Sequence, residues 1–276
     1  MTAPAAPAAL GLADDDRDIR PLAQALALAA RSARSTARQP EMWLPSLIFP
    51  MLIAAVNNSA MARAVNLPGF PPVDSVLQFL LPATIVQGVM FGAVSGGSDL
   101  ALDIENGFFE RLLASPVARP AILIGRLAGG AALGACQTVI FVVLFALFGA
   151  RVAGGPLAVL VLMGMAVLVT LMVGGITAAV GIRTGSQESV DAAFPLIFIF
   201  LFMSSAFFPA ELMSGWFQWM ALHNPLSWMI DGARRLVIYG FDWSDAFQAL
   251  VVPGVISVFT IALAVHQMQK RLERDR

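Results

Sequence analysis

Six charge-free apolar runs alternate with short polar stretches along this chain: Met42–Ala62, Ser75–Ser98, Leu127–Ala150, Val152–Ile182, Ala192–Ala210 and Ala246–Gln269. A helix needs about 20 apolar residues to cross the hydrocarbon of a bilayer, so each run can hold one crossing. The pattern predicts an all-α polytopic membrane protein with six transmembrane helices, at 42–62, 75–98, 120–150, 156–182, 191–208 and 246–266. The run Val152–Ile182 would reach about 46 Å as a helix, too long for one span and too short for two. Pro156 is placed to start that helix, and its far end is expected to protrude into water. A further charge-free run, Leu212–Ile230, is not read as a span. Gly215, Gln218, His223, Asn224 and Pro225 interrupt it, and Trp216, Trp219 and Trp228 belong at an interface rather than in a bilayer centre. Residues 209–240 are therefore expected to form an external re-entrant helical hairpin of two short helices before the last span.

The segment ahead of the first span divides in two. Residues 1–18 are Ala/Pro-rich and then acidic, at Asp14, Asp15, Asp16 and Asp18. That is the wrong order for a secretory signal, and a disordered tail is expected. In residues 19–40, Leu22, Leu26 and Ala29 recur at helical spacing, with Arg31, Arg34 and Arg38 on another face. This predicts an N-terminal amphipathic interfacial helix.

Between the second and third runs lies a charged, helix-forming island, Glu105 to Arg119, ENGFFERLLASPVAR. Such an island belongs in water at a membrane face, where it can serve as a handle on the two flanking spans. With six spans both termini share a side with it. That side would hold Arg17, Arg20, Arg31, Arg34, Arg38, Arg111, Arg119, Arg126, Arg183, Lys270, Arg271, Arg274 and Arg276. The other would hold only Arg63, Arg151, Arg234 and Arg235 of the 17 basic residues. The excess of positive charge places the termini and the island in the cytoplasm.

Composition agrees and excludes several classes. The chain is 58% hydrophobic and 13% charged, against about 45–50% and about 25% in soluble domains. Net charge is −1 with scattered basic residues, which argues against nucleic acid. Cys136 is the single cysteine and reads as a small apolar-run residue. The sole lysine, Lys270, is followed by Arg271 and preceded by no glycine loop, so the chain lacks a lysine-dependent phosphate loop. No H-E-x-x-H occurs; His223 and His266 read as local caps. Span centres lack charge, unlike most ion-driven transporters. Their polar groups are neutral: Asn57, Asn58, Gln87, Gln137, Thr138, Thr170, Ser204 and Ser205. These either glue helices or line a path. Phe194, Phe198, Phe200 and Phe202 make the fifth run aromatic, either for packing and lipid contact or as a cavity wall.

One motif carries a resemblance. Glu105, Gly107, Glu110, Leu112, Leu113, Ser115, Pro116 and Arg119 form E-x-G-x-x-E-x-L-L-x-S-P-x-x-R. It resembles the first cytoplasmic loop of permeases of type 2 ABC exporters, the group containing daunorubicin-resistance permeases. Phe207, Phe208, Pro209, Glu211, Gly215, Trp216, Asn224, Pro225, Leu226, Asp231 and Arg234 resemble that family's external hairpin. The resemblance covers most of the chain from about residue 20.

It implies a membrane permease without its own ATPase site, exporting a lipophilic or amphipathic small molecule such as a drug or lipid. Ion-coupled transport and polymer export are the alternatives. The implied partners are two copies of a cytosolic ABC ATPase, which would carry ATP and Mg, and a second permease chain in a homodimer. The implied location is the bacterial plasma membrane. The loop 99–119 would couple to the ATPase through Glu105, Gly107, Phe108, Phe109, Glu110, Arg111, Leu113, Ser115 and Pro116. Asp103 and Glu105 near the start of its helix and Arg111 in later turns would suit the helix dipole, and Pro116 would end it. Phe208, Pro209, Glu211, Asn224, Pro225 and Asp231 are candidates for an external gate. Asn57, Asn58, Gln87, Phe198, Phe202 and Ser204 are candidates for the substrate path.

Overall fold

A computed structural model describes residues 40–109 and 119–274. The expected tail and interfacial helix lie outside these residues, apart from Pro40. Among the described residues the structure is all-helical. The helices are α1 (Pro40–Ala60), α2 (Val76–Glu105), α3 (Arg119–Leu147), α4 (Gly155–Thr184), α5 (Gln187–Phe202), α6 (Gly215–His223), α7 (Pro225–Ile238) and α8 (Trp243–Arg274). Short 3-10 turns occur at Ala64–Asn66 and Ala210–Leu212.

Five helices, α1 to α4 and α8, are long and apolar enough to cross a membrane. They leave apolar stripes uncovered. On α1 the exposed Leu44, Ile48, Leu52 and Val56 follow one another every four residues, opposite the buried Leu47 and Ala54. Val139, Ile140 and Val143 of α3 and Val255, Val258 and Phe259 of α8 are likewise exposed. Apolar surface on this scale is covered by lipid or by a partner.

The bundle is built round α2 and α4. The α2 helix packs against α1, α3, α4, α5 and α7, and α4 against α2, α3, α5, α7 and α8. Small residues set the spacing. A Cβ on Gly97 of α2 would lie 2.3 Å from Thr177 of α4, and one on Gly175 of α4 would lie 2.5 Å from Thr260 of α8. Bilayer helices associate through such close packing, since lipid supplies no hydrophobic drive. Pro156 does sit in the first turn of α4, and Gly185 closes that helix in the left-handed conformation, φ 64°.

Two boundaries differ from expectation. The second helix does not end at Ser98. No helix breaker follows Gly97 until Asn106–Gly107, and Leu100, Ala101 and Ile104 are buried, Leu100 and Ile104 beside Ala178 and Ile182 of α4. So α2 continues to Glu105, and Asp103 and Glu105 occupy its last turn. That corrects their assignment to the start of the island's helix and the dipole argument with it. The fifth run forms a helix of only 16 residues, about 24 Å long, which ends at Phe202 rather than residue 208. The hairpin does consist of two short helices split at Asn224–Pro225. In α7, Met229, Ile230, Ala233, Leu236 and Val237 are fully buried.

Candidate functional site

The ion pairs among the described residues gather at the two ends of the bundle. One end holds the C-termini of α2, α4 and α8 and the N-termini of α3 and α5. There the Arg126 guanidinium pairs with Asp103 at 2.5 Å. Arg271 Nη1 donates to the Ile182 carbonyl at 3.1 Å. The Glu105 carboxylate accepts the Gln187 backbone N–H at 2.7 Å, and the Ser98 hydroxyl donates to Asp191 at 2.5 Å. A narrow crevice between α2, α3 and α4 is lined by Gly92, Gly96, Gly130, Thr170 and Gly174, with Arg126 beside them.

The coupling candidates begin at this end. Glu105 closes α2, and Gly107 turns the chain at φ 66°, where a side chain would be strained. Phe108 is exposed. Phe109 is 3% exposed and packs with Leu100, Ile104, Leu123 and Ile182, so it anchors the island to the spans. Glu110, Arg111, Leu113, Ser115 and Pro116 lie outside the described residues.

The opposite end holds a tighter cluster centred on Arg234, which is 5% exposed. Its guanidinium lies 3.7 Å from the Phe79 ring centre. Nε donates to the Phe79 carbonyl at 3.2 Å, and Nη2 to the Ser205 and Ala206 carbonyls at 2.8 and 3.1 Å. Nη1 pairs with Asp231 at 2.5 Å, and Asp231 also accepts from the Ser205 hydroxyl at 2.8 Å. Burial pushes the Asp231 carboxyl above its ordinary value; the Arg234 charge and the Ser205 hydrogen bond oppose that. Burial also lowers Arg234 to about 10, which leaves it protonated at neutral pH. Asn224 joins this end: Nδ2 donates to the Phe200 carbonyl at 2.7 Å and Oδ1 accepts from Leu226 N at 2.9 Å. One amide thus closes α5 and opens α7.

Of the gate candidates, Asn224 and Asp231 belong to this cluster. Pro225 starts α7 beside them, and Phe208 packs on the main core. Pro209 caps the short turn Ala210–Leu212. Glu211 is exposed, yet its charge acts on both Asp231 and Arg234.

None of the path candidates lines the crevice between α2, α3 and α4. Asn57 bonds back to the Ile53 carbonyl at 2.8 Å, and Asn58 is half-buried beside it. The Ser204 hydroxyl donates to Leu201 O and accepts from Ala206 N, closing the turn after α5. Phe198 is 8% exposed, its ring 4.6 Å from that of Phe91. Phe202 is exposed and stacks on Phe207 at 5.2 Å. Gln87 is fully buried, and both polar atoms of its amide have no partner.

Sequence reasoning missed Gln78, whose side chain bonds Arg151 O, Val237 O and Asp74 N and so joins three segments. The signal was present: Ser75 precedes it by three residues, as in a capping box. It also missed the pairing of Arg126 with Asp103, for which the sequence carries no spacing signal.

Among the described residues no three His, Cys, Asp or Glu side chains cluster to hold a metal. Two polar ends joined by apolar helices suit the work of a transporter. Residues 23–238 match the ABC-2 type transporter family. The chain belongs to that family. It is 33% identical to a daunorubicin resistance ABC transporter permease protein of Streptomyces coeruleorubidus, over 78% of this chain and 74% of that one. It is 24% identical to a probable doxorubicin resistance ABC transporter permease protein of Mycobacterium tuberculosis, over 88% of each. It is 25% identical to an inner membrane transport permease of Escherichia coli, over 86% of this chain and 91% of that one. This ABC-2 chain is thus a multi-pass membrane permease, and membership implies an ABC ATPase as partner.

Proposed function

We propose that this chain forms the translocation path of an ATP-driven exporter for lipophilic or amphipathic small molecules. The observation that carries the proposal is the family match, joined to a charged island that follows the turn at Gly107 between two apolar helices. Two copies of a cytosolic ATPase seat beneath two copies of this permease, bind ATP and Mg, and push on residues 99–119. The relatives' names, which record daunorubicin and doxorubicin resistance, favour a drug-like cargo. ATP does work here only if it binds one arrangement of the permease better than another.

The chain crosses the bacterial plasma membrane six times within residues 19–276, and both termini are cytoplasmic. The short α5 serves as the fifth crossing. Its start bonds Glu105 at the inner end, and its last turn bonds Asn224 at the outer end. The excess of Lys and Arg on the side of the termini, 13 of the 17 basic residues, favours this orientation.

Co-expression with an ABC ATPase that co-purifies with the chain tests the reading. Inverted vesicles should accumulate daunorubicin only with ATP, and Gly107→Pro should abolish the accumulation. Uptake driven by a proton gradient without any ATPase would refute the proposal in favour of ion-coupled transport. Thiol labelling of Glu105→Cys from the exterior would refute the orientation.

A further inference from the structure

We propose that Glu105 is a positioning residue that ties the inner loop to α5, so that α2 and α5 move as one strut. The strut carries a displacement of that loop to the outer hairpin. The first N–H groups of a helix have no acceptor within it. In α5 the Ser186 hydroxyl takes the Ser189 N–H, and Glu105 takes that of Gln187, across 82 positions of sequence. A carboxylate is favoured at that helix end by the dipole. This acid of the charged island therefore bonds its own chain, at the exposed end of the bundle.

The tie does not stand alone. Phe91, Ser98 and Glu105 lie seven residues apart along α2, on one stripe of the helix. Each meets α5: Phe91 packs its ring 5.0 Å from Phe194 and 4.6 Å from Phe198, Ser98 bonds Asp191, and Glu105 bonds Gln187. At the outer end Arg234 bridges the Phe79 carbonyl of α2 to the Ser205 and Ala206 carbonyls just beyond α5. The two helices are thus joined at the bottom, the middle and the top, and α7 is held by the topmost joint. A push on the inner loop reaches the hairpin without any bond rearranging inside the pair.

The source of the push rests on the ATPase-driven reading above; the tie does not. Hydrogen exchange on the purified permease alone tests the tie. In Glu105→Ala, the peptide spanning residues 185–192 should exchange roughly three- to tenfold faster than in the wild type, and Glu105→Gln, which keeps an acceptor, should lie between. Unchanged exchange in Glu105→Ala overturns the tie. In vesicles holding permease and ATPase, daunorubicin moved per ATP hydrolysed should fall about tenfold in Glu105→Ala and recover substantially in Glu105→Gln. Equal loss in both variants, or loss of ATPase co-purification in Glu105→Ala, would make Glu105 an ATPase contact and overturn the proposal. In a Cys136→Ser background, a short bismaleimide joining Ser98→Cys to Asp191→Cys should leave transport intact relative to the same variant uncross-linked. If the cross-link stops transport, the helices part during the cycle and the strut is wrong. Absence of ATP-driven transport in the wild type would refute the function above, while the exchange result would still decide the tie.

Discussion

Replacing Arg234 with Met puts the cluster around it under the most direct strain. Met fills much of the same volume but donates nothing to Asp231 or to the carbonyls of Phe79, Ser205 and Ala206. Removing one member of a buried ion pair typically costs about 3–5 kcal/mol, less here because the Asp231 side chain is 34% exposed, and each orphaned carbonyl adds roughly 1 kcal/mol. Proton uptake by Asp231 offsets part of this, since burial already pushes that carboxyl upward. A net loss of about 3–5 kcal/mol follows, or on the order of 10 °C in Tm for a chain of this size.

Thermal unfolding of the detergent-purified protein, followed by tryptophan fluorescence, reads it out. A carboxyl whose folded value lies above its unfolded one stabilises the fold at low pH and loses that effect as pH rises through the folded value. Without Arg234 the Asp231 carboxyl rises further. The gap in Tm between variant and wild type should therefore narrow as pH falls toward the carboxylate range. Adding Asp231→Leu should restore the part of the loss that comes from the unpaired carboxylate, while the Phe79, Ser205 and Ala206 carbonyls remain without their donor. A single variant melting within about 2 °C of wild type, or a double variant no better than the single, would refute the assignment of Arg234 as the keystone of this end.

Gln87→Met should raise Tm, by roughly 1–3 kcal/mol of stability, because it removes two buried polar atoms without partners; a lower Tm would mean that the amide is satisfied in the membrane. Asn224→Ala should cost about 1–2 kcal/mol in the same melting assay, since it loses both the cap of α7 and the bond to Phe200. Gly97→Leu should cost at least about 1–3 kcal/mol and show as aggregation on size exclusion, because the added atoms meet Thr177 at 2.3 Å. Phe198→Ala should lower Tm markedly, by about 3–5 kcal/mol of stability, because the ring is buried against Phe91 and Phe194; a silent change would return it to the role of an uncovered cavity wall.

The order of apolar runs by itself determines the all-helical architecture. Crossing length is a one-dimensional property: about 20 apolar residues either occur in a row or they do not. The same holds for the break at Asn224–Pro225 and the start of α4 at Pro156, where the residue itself dictates the backbone. Tertiary structure decided what periodicity could not reach. Whether α2 stops at Ser98 depends on whether Leu100 and Ile104 find α4 to pack on, and α5 stops at Phe202 because Ser204 and Asn224 close its end. The partners of Glu105, Asp191 and Arg234 are equally long-range choices. Each charge could have faced water, and only the folded arrangement supplies the helix end, hydroxyl or carbonyls that make burial or pairing there favourable. Local sequence specifies where a segment can be helical, whereas a hydrogen bond across 82 positions exists only once both helices are in place.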